Sequence, residues 1–341
     1  MDVTILDYPS LPCEEFIQQR DDAELCHMPA WTNMVQNTFG HRGYYLVAHE
    51  NGQVCGVLPL VHIRSRLFGN RMVSQAFSDY GGPLATSPAV MEALYHQAIE
   101  LADRCSCRYM EFRNTVAMPY DLHIRTDKVC MHLRLASDPQ QVWKELRPQI
   151  RNRIRQAEKN GITVTHGHRE LLEDFYRLWT IRMGELGTPC YPRQLFEAIM
   201  ETFPEQSRIF MAHCDGKVAA AFFAYAFNGC AHARWGAALR EYDSKSPNYL
   251  LNWSAIEYYC RIGVKGFDFG RSTVGSSQHT FKERWGAQAL PLNWQYWTPP
   301  GRELHLVKPD DPAYKRKKEM WKKLPLAVTR TVGPWISCSL P

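Results

Sequence analysis

The sequence predicts an α/β (α+β) chain of two tandem domains, each a mixed, mainly antiparallel sheet flanked by helices. Three observations predict it. The chain has 341 residues, and a domain usually takes roughly 100–200. Its composition, 45% apolar and 22% charged, is that of a folded globular chain. Above all, it repeats itself.

The segment Leu46-Val-Ala-His-Glu-Asn-Gly-Gln-Val54 reads like Phe210-Met-Ala-His-Cys-Asp-Gly-Lys-Val218. Ala48, His49, Gly52 and Val54 match Ala212, His213, Gly216 and Val218. Asn-Gly and Asp-Gly supply the positive φ angles of a tight hairpin turn between two strands. A second match lies downstream. Ala98-Ile99-Glu100 leads to Met110-Glu111-Phe112, as Ala255-Ile256-Glu257 leads to Phe267-Asp268-Phe269. Each copy therefore reads as a hairpin, a third strand, a helix and a buried strand carrying an acid.

Period and turn signals place the elements in order. Copy one has a strand at 3–7, helices near 11–20 and 30–38, strands at 44–50, 53–65 and 71–77, a helix at 88–105 and a strand at 109–113. Copy two has a strand at 162–167, helices at 169–186 and 192–203, strands at 207–214, 217–227 and 230–238, a helix at 247–262 and a strand at 265–269. A short helix near 279–285 and a strand near 289–297 close it. Ser137-Asp138-Pro139 caps a helix between the copies, which Pro148 kinks or restarts and Gly161 ends. The domains drawn from this are 1–136, a linker helix at 137–161, 162–300, and a basic tail at 301–341.

Composition excludes several classes. The net charge of +5 permits an anionic partner without demanding one. The 11 cysteines are an odd number with no C-x-x-C spacing, so reduced thiols and no metal site are expected. The N-terminus lacks a basic and then apolar signal segment, and the longest apolar run, Val218 to Phe227, is short for a membrane span. A cytoplasmic protein is expected, with peripheral contact at the inner face of a membrane as the variant. No DNA partner is expected, and RNP-type stacking motifs are absent.

Chemistry concentrates between Phe267 and Gly286, where a buried strand runs into a loop crowded with Asp268, Arg271, Ser272, His279 and Lys282. Loops beyond strand ends are where α/β sheets usually bind ligands. The alternative is a capped helix start with Phe281 and Trp285 as core. No Cys-His or Ser-His-Asp nucleophile arrangement is visible, so direct transfer to an attacking amine is expected, with a lysine and a backbone N–H at a strand bulge relieving oxyanion charge. The base candidates are Asp268 and Asp79, the latter in Ser78-Asp79-Tyr80-Gly81-Gly82; a simple turn is the other reading of Asp79. Trp294 and Trp297 either frame a sugar or pack.

The element order is similar to that of the GNAT acyltransferase fold, and Phe281-Lys282 followed by Trp285-Gly286 resembles the late Phe-Lys motif of the FemAB family. The chain also resembles FemAB-like proteins of PEP-CTERM/exosortase exopolysaccharide systems. The shared features are Leu58-Pro59-Leu60, Ser65 to Gly69, Tyr80-Gly81-Gly82, Phe267 to Ser272, Trp321 to Pro325 and Gly333-Pro334. The resemblance implies an N-acyltransferase that moves an acyl or aminoacyl group to an amine on a cell-envelope or exopolysaccharide precursor. Lys282 would stabilise charge at the donor and Phe281 would shape the acceptor site. Tyr80, Arg271, Ser272 and His279 are the other substrate-binding candidates.

No tightly bound cofactor is expected; the donor, an aminoacyl-tRNA, an acyl carrier or acyl-CoA, is a co-substrate. Copy two lacks the Gly-rich pyrophosphate loop of CoA-dependent GNAT enzymes, carrying Leu239 to Asn248 instead. The donor-phosphate candidates are therefore Lys245 and the stripe Arg151, Arg155 and Lys159, which recurs every four residues; a solvated face is the competing reading. The tail cluster Lys315 to Lys318 with Lys322 and Lys323 either docks as a plain amphipathic helix or meets anionic lipid. A CoA-dependent acetyltransferase and a non-catalytic scaffold of polysaccharide assembly are the alternative functions.

Overall fold

The computed structural model describes residues 2–7, 11–120, 122–304 and 311–340. Residues 305–310 and 341 of the expected tail lie outside them. In chain order the first half carries β1 (Asp2–Leu6), α1 (Leu11–Gln18), α2 (Pro29–Phe39), β2 (Arg42–Glu50), β3 (Gln53–Ser65), β4 (Gly69–Val73), β5 (Leu84–Ala85), α3 (Pro88–Arg104), β6 (Met110–Asn114), β7 (His123–Arg125) and β8 (Lys128–Arg134). Then come α4 (Pro139–Glu145), α5 (Pro148–Lys159), β9 (Ile162–Gly167), α6 (Leu172–Leu186), α7 (Arg193–Thr202), β10 (Ser207–Cys214), β11 (Lys217–Phe227) and β12 (Cys230–Ala238). The chain continues through α8 (Pro247–Arg261), β13 (Gly266–Thr273), α9 (Ser277–Arg284), β14 (Gln288–Pro291), β15 (Asn293–Trp297), α10 (Pro312–Lys322) and α11 (Leu326–Ser337).

The two expected sheets are present. The first runs β1-β2-β3-β4-β6-β15-β7, with β5 on β3; the second runs β14-β8-β13-β12-β11-β10-β9. In each copy three antiparallel strands lead through one helix to a strand that pairs in parallel with the third. The likeness extends to irregularities. Asn51 and Gly52, like Asp215 and Gly216, have positive φ in the hairpin turn. Both hairpins then slip register at the matched Ala-His pair, Ala48/His49 against β3 and Ala212/His213 against β11. A bulge is a specific local bend, so its recurrence at the same step makes the two halves one repeated unit.

Two strands are exchanged between the halves. β8 follows the first copy in sequence but pairs with β13, and its Val129 and Met131 are buried in the second core. β15 follows the second copy but pairs with β6. Gln295 fixes that placement: its buried amide accepts from Asn114 Nδ2 and the Met118 N–H and donates to the Met118 carbonyl. The compact units are therefore Met1–Thr126 with Pro291–Val307 and Cys338–Pro341, and Asp127–Leu290 with Lys308–Ser337. These differ from the boundaries drawn at 136 and 300. The segment at 137–161, expected as a linker helix that Pro148 kinks or restarts, is two helices, the second starting at Pro148. Its Val142, Leu146, Ile150, Ile154 and Ala157 are part of the second core. The expected strand at 289–297 is split at Leu292 between two sheets, and the one at 71–77 stops at Val73.

Candidate active site: the fork of the second sheet

β12 and β13 pair over three residues: Cys230↔Gly266, Ala231↔Phe267 and His232↔Asp268. Beyond that point β12 stays with β11 as far as Ala238. β13 continues only against β8, from Arg271↔Cys130 to Thr273↔Lys128. The strands thus part at His232 and Asp268. Two irregularities mark the fork. β12 slips register between Phe223↔Trp235 and Ala224↔Ala233, so Arg234 is a bulged residue whose backbone leaves the ladder. β13 turns at Gly270, with φ +76, and a Cβ there would lie 3.1 Å from the Ala233 carbonyl oxygen.

At the fork sits a buried charged cluster. Asp268 is fully buried, with Oδ2 3.2 Å from His232 Nδ1, 3.6 Å from His132 Nε2 and 3.8 Å from Arg234 Nη1. Its Oδ1 accepts the Gly270 N–H at 2.7 Å. Burial pushes the Asp268 pKa up, but the His232 hydrogen bond and the positive charges of His132, His232 and Arg234 outweigh it and hold the carboxyl below its usual range. Burial lowers the His132 pKa, yet its bond with Cys230 and the Asp268 charge raise it overall. The Cys230 thiol, raised by burial, is pulled down overall by His232 and His132. His132 is the member nearest solvent, its side chain 24% exposed.

Lys282 reaches the same place from α9. Its ammonium donates to the Gly270 carbonyl at 2.8 Å and to the Arg271 carbonyl at 3.0 Å. Phe281 beside it packs edge-on to Tyr249, ring centroids 5.3 Å apart, and Tyr249 stacks on buried Trp285. Next to this aromatic wall is a cavity of about 410 Å³. Gln149, Ile150, Asn152, Arg153 and Gln156 of α5, Tyr249 of α8 and Arg284 of α9 line it. Neither Arg153 nor Arg284 has a carboxylate partner among the described residues, so the cavity presents uncompensated positive charge.

The structure brings some of the sequence-predicted groups together and keeps others apart. Asp268 and Lys282 come together at the fork, with Arg271 exposed on β13 and His279 in the first turn of α9. Ser272, by contrast, is buried, and its hydroxyl has no partner among the described residues. Asp79 and Tyr80 belong to the first unit. There the Asp79 carbonyl accepts from Trp294 Nε1, and Tyr80 is buried with its carbonyl facing the Cys26 thiol. Trp294 is itself buried against the Arg113 guanidinium, 4.6 Å from its ring, and Trp297 packs on the first core. Both are packing residues.

The basic stripe faces away from the cavity. With Ile150, Ile154 and Ala157 turned to the core, Arg151 and Arg155 fall on the α4 side. There Arg155 covers Trp143 and Arg151 approaches the Lys144 carbonyl. Lys159 is exposed, as is Lys245, whose carbonyl accepts from Asn160. The cavity takes the opposite flank of the same helix, through Arg153. His132, His232, Arg234 and Cys230 were missed altogether. For three of them the signal was present: in Cys230-Ala-His-Ala-Arg234 the polar residues recur at every second position of an otherwise apolar strand, which puts them on one face.

The comparisons fit this architecture. Residues 144–283 match the acetyltransferase (GNAT) domain family model. The structure is similar to a crystal structure of FemX, with a TM-score of 0.68 and 14% identity over 87% of this chain and 97% of that one. It is also similar to the C-terminal domain of a putative lysylphosphatidylglycerol synthetase from Agrobacterium fabrum, with a TM-score of 0.55 and 12% identity over 84% and 91%. A tandem GNAT protein from the clavulanic acid biosynthesis pathway gives a TM-score of 0.50 and 13% identity over 87% and 98%. No curated protein sequence matches this chain. The fold is that of tandem GNAT-like domains.

Proposed function

We propose that the protein is an N-acyltransferase that passes an acyl or aminoacyl group directly to an amine, with the reaction centred on the fork of the second sheet. The observation that carries this reading is the parting of β12 and β13 at a bulge, with a lysine ammonium fixed at the same point. Transfer needs the donor carbonyl held beside hydrogen-bond donors that meet the developing oxyanion. The freed backbone at Arg234 and the Lys282 ammonium are the donors this chain supplies.

The attacking amine must lose a proton. Asp268 is a poor acceptor for it, being buried and held ionised by its hydrogen bond with His232 and by the charge of Arg234 beside it. Its role here is that of a fixed anion which orients His232 and His132, and His132, with its side chain 24% exposed, accepts the proton in its neutral form. Phosphates of the donor rest in the cavity against Arg153 and Arg284. A short 3-10 turn at Arg240–Lys245 occupies the place of a Gly-rich pyrophosphate loop, which favours aminoacyl-tRNA or a carrier-borne acyl group over CoA held in the usual way. The acceptor is an amine-bearing saccharide or envelope precursor, of the kind that FemAB-like proteins of exopolysaccharide systems suggest.

The test is single-turnover transfer from aminoacyl-tRNA, acyl-carrier and acetyl-CoA donors to amino-sugar acceptors, with wild type and Lys282→Met. Loss of one preorganised donor should cost about 3 kcal/mol of transition-state stabilisation, on the order of a hundredfold in rate. The methionine keeps the apolar stem, so melting should barely move. A rate within about threefold of wild type would remove Lys282 from the chemistry. No transfer by wild type from any donor would sink the enzymatic reading.

A further inference from the structure

We propose that α10 and α11 form a docking surface for an anionic lipid bilayer. The argument starts from which face of α11 is buried. Thr329, Gly333 and Ser337, four residues apart, turn inward, with Thr329 3% and Ser337 1% exposed. They pack tightly: the Thr329 carbonyl accepts from the Cys190 thiol, Ser337 Oγ donates to the Cys190 carbonyl, and Gly333 lies against Cys190. The large apolar side chains point the other way. Val328, Val332 and Trp335, spaced four and three residues apart, share one face and are 39%, 36% and 66% exposed.

A helix docked on a water-soluble domain normally buries its apolar stripe and shows its small polar residues to water. α11 does the reverse, and the surface around it extends the pattern. Met320, Leu324 and Leu326 are exposed on the adjoining turn and helix. Large apolar side chains exposed together along one helix face mark a contact with something less polar than water.

Charge chooses the occupant. α10 and its end carry Lys315, Arg316, Lys317, Lys318, Lys322 and Lys323 against one acid, Glu319. Basic residues flanking an exposed Trp, Val and Leu face give the two signals, apolar insertion and attraction to anionic headgroups, that stable binding at a lipid interface requires. An apolar protein partner would account for the first signal and not for the second. No helix among the described residues is long and apolar enough to cross a membrane, so the contact is with the surface.

The full chain should be mixed with vesicles of phosphatidylcholine alone and with vesicles in which part of that lipid is phosphatidylglycerol, then sedimented. Binding to the anionic vesicles, weakened by added salt, is expected. Val328→Glu with Val332→Glu should weaken it about tenfold, as should Arg316→Glu with Lys317→Glu. All four positions face solvent, so both variants should melt with wild type. Three results would overturn the proposal: no binding to anionic vesicles at low salt, binding that neither variant changes, or a dimer dissolved by Val328→Glu with Val332→Glu in a protein that ignores vesicles. The last would make this face a contact between copies of the chain.

Discussion

The two copies share hairpin, turn, bulge and crossover, yet their forks differ. In the second copy, β12 runs on past the fork to Ala238 and bulges at Arg234. In the first, β4 stops at Val73, and residues 74–82 fold back into the corresponding gap. Ser74 N–H bonds the Glu111 carbonyl, Ser74 Oγ accepts from Arg113 N–H, and Gly82 N–H returns to the Arg113 carbonyl. Gln75 and Phe77 take positive φ to make the reversal. The loop is tied to α2 and the chain before it, with Gln75 Nε2 donating to the Cys26 carbonyl and Thr32 Oγ1, and Trp31 Nε1 to the Ala76 carbonyl. The same unit thus serves once with its gap filled by its own backbone and once with the gap left open. The proposed chemistry sits at the open one.

The acids at the equivalent positions test this division most severely. Glu111 pairs with Arg113 at 2.6 Å, both buried; Asp268 faces two histidines and Arg234. Removing one partner of a buried ion pair typically costs about 3–5 kcal/mol, because a charge stays behind uncompensated. Glu111→Gln and Asp268→Asn should each lose that much in urea unfolding. Transfer per folded molecule should survive Glu111→Gln and collapse in Asp268→Asn. Equal loss of turnover in both would erase the distinction between a closed and an open fork.

A gentler probe uses the glycines. Gly81 has φ +142, and a Cβ there would overlap the Ser74 carbonyl oxygen and lie 2.7 Å from Gln75 Cβ. Gly270 sits at φ +76 and would meet only the Ala233 carbonyl oxygen, at 3.1 Å. Gly81→Ala therefore combines backbone strain of about 1–3 kcal/mol with a clash against fixed backbone. Gly270→Ala should cost about 1–2 kcal/mol, since its φ lies in the left-handed region that other residues enter with moderate strain. Denaturant midpoints at unchanged slope would report both. A Gly270→Ala variant less stable than Gly81→Ala would mean that the second fork is the more tightly filled.

These contrasts also explain what was legible in the sequence. Hairpins 44–65 and 207–227 could be read because turn chemistry and alternation are local. Strand exchange could not, because nothing within Lys128–Arg134 or Asn293–Trp297 says which edge it will join; that depends on partners such as Gln295 and Asn114, far apart in the chain. Strand 71–77 was overextended because Gln75 and Phe77 carry no turn signature, and their positive φ is imposed by Cys26, Thr32 and Trp31. Lys282 was legible through its neighbours Phe281 and Trp285. Arg153 was hidden because Arg151, Arg155 and Lys159 form the more regular stripe, while the core-facing Ile150 and Ile154 decide which flank meets the cavity. On α11 the order of apolar and small residues was readable, but not which set would turn inward.

The smallest effect expected is a difference in acid sensitivity between the halves. In the first unit His27, His41 and His62 all have lowered pKa values, chiefly through burial. His27 shows why: its Nδ1 accepts the Glu24 N–H and its Nε2 faces the Gly82 carbonyl, so the neutral ring bridges α2's approach to the loop that fills the gap. A histidine with a depressed folded pKa contributes stability above its unfolded value, about 6.5, and loses it as pH falls toward the folded value. The second unit behaves oppositely at its fork. His132 is raised, so its contribution is present below about 6.5 and lost as pH rises through its folded pKa. Asp268 is lowered, so its contribution holds above about 3.9 and fails only in stronger acid. His166 in the second unit is also lowered, through burial and Arg208, but it lies on edge strand β9 and should act there alone. Between pH 7.5 and 5.5, amide hydrogen exchange should therefore quicken in β2 and β3 while β12 and β13 keep their protection. Equal acceleration in both sheets would show that the buried histidines are not what separates them, and earlier opening of β12 and β13 would reverse the assignment of the cluster around Asp268.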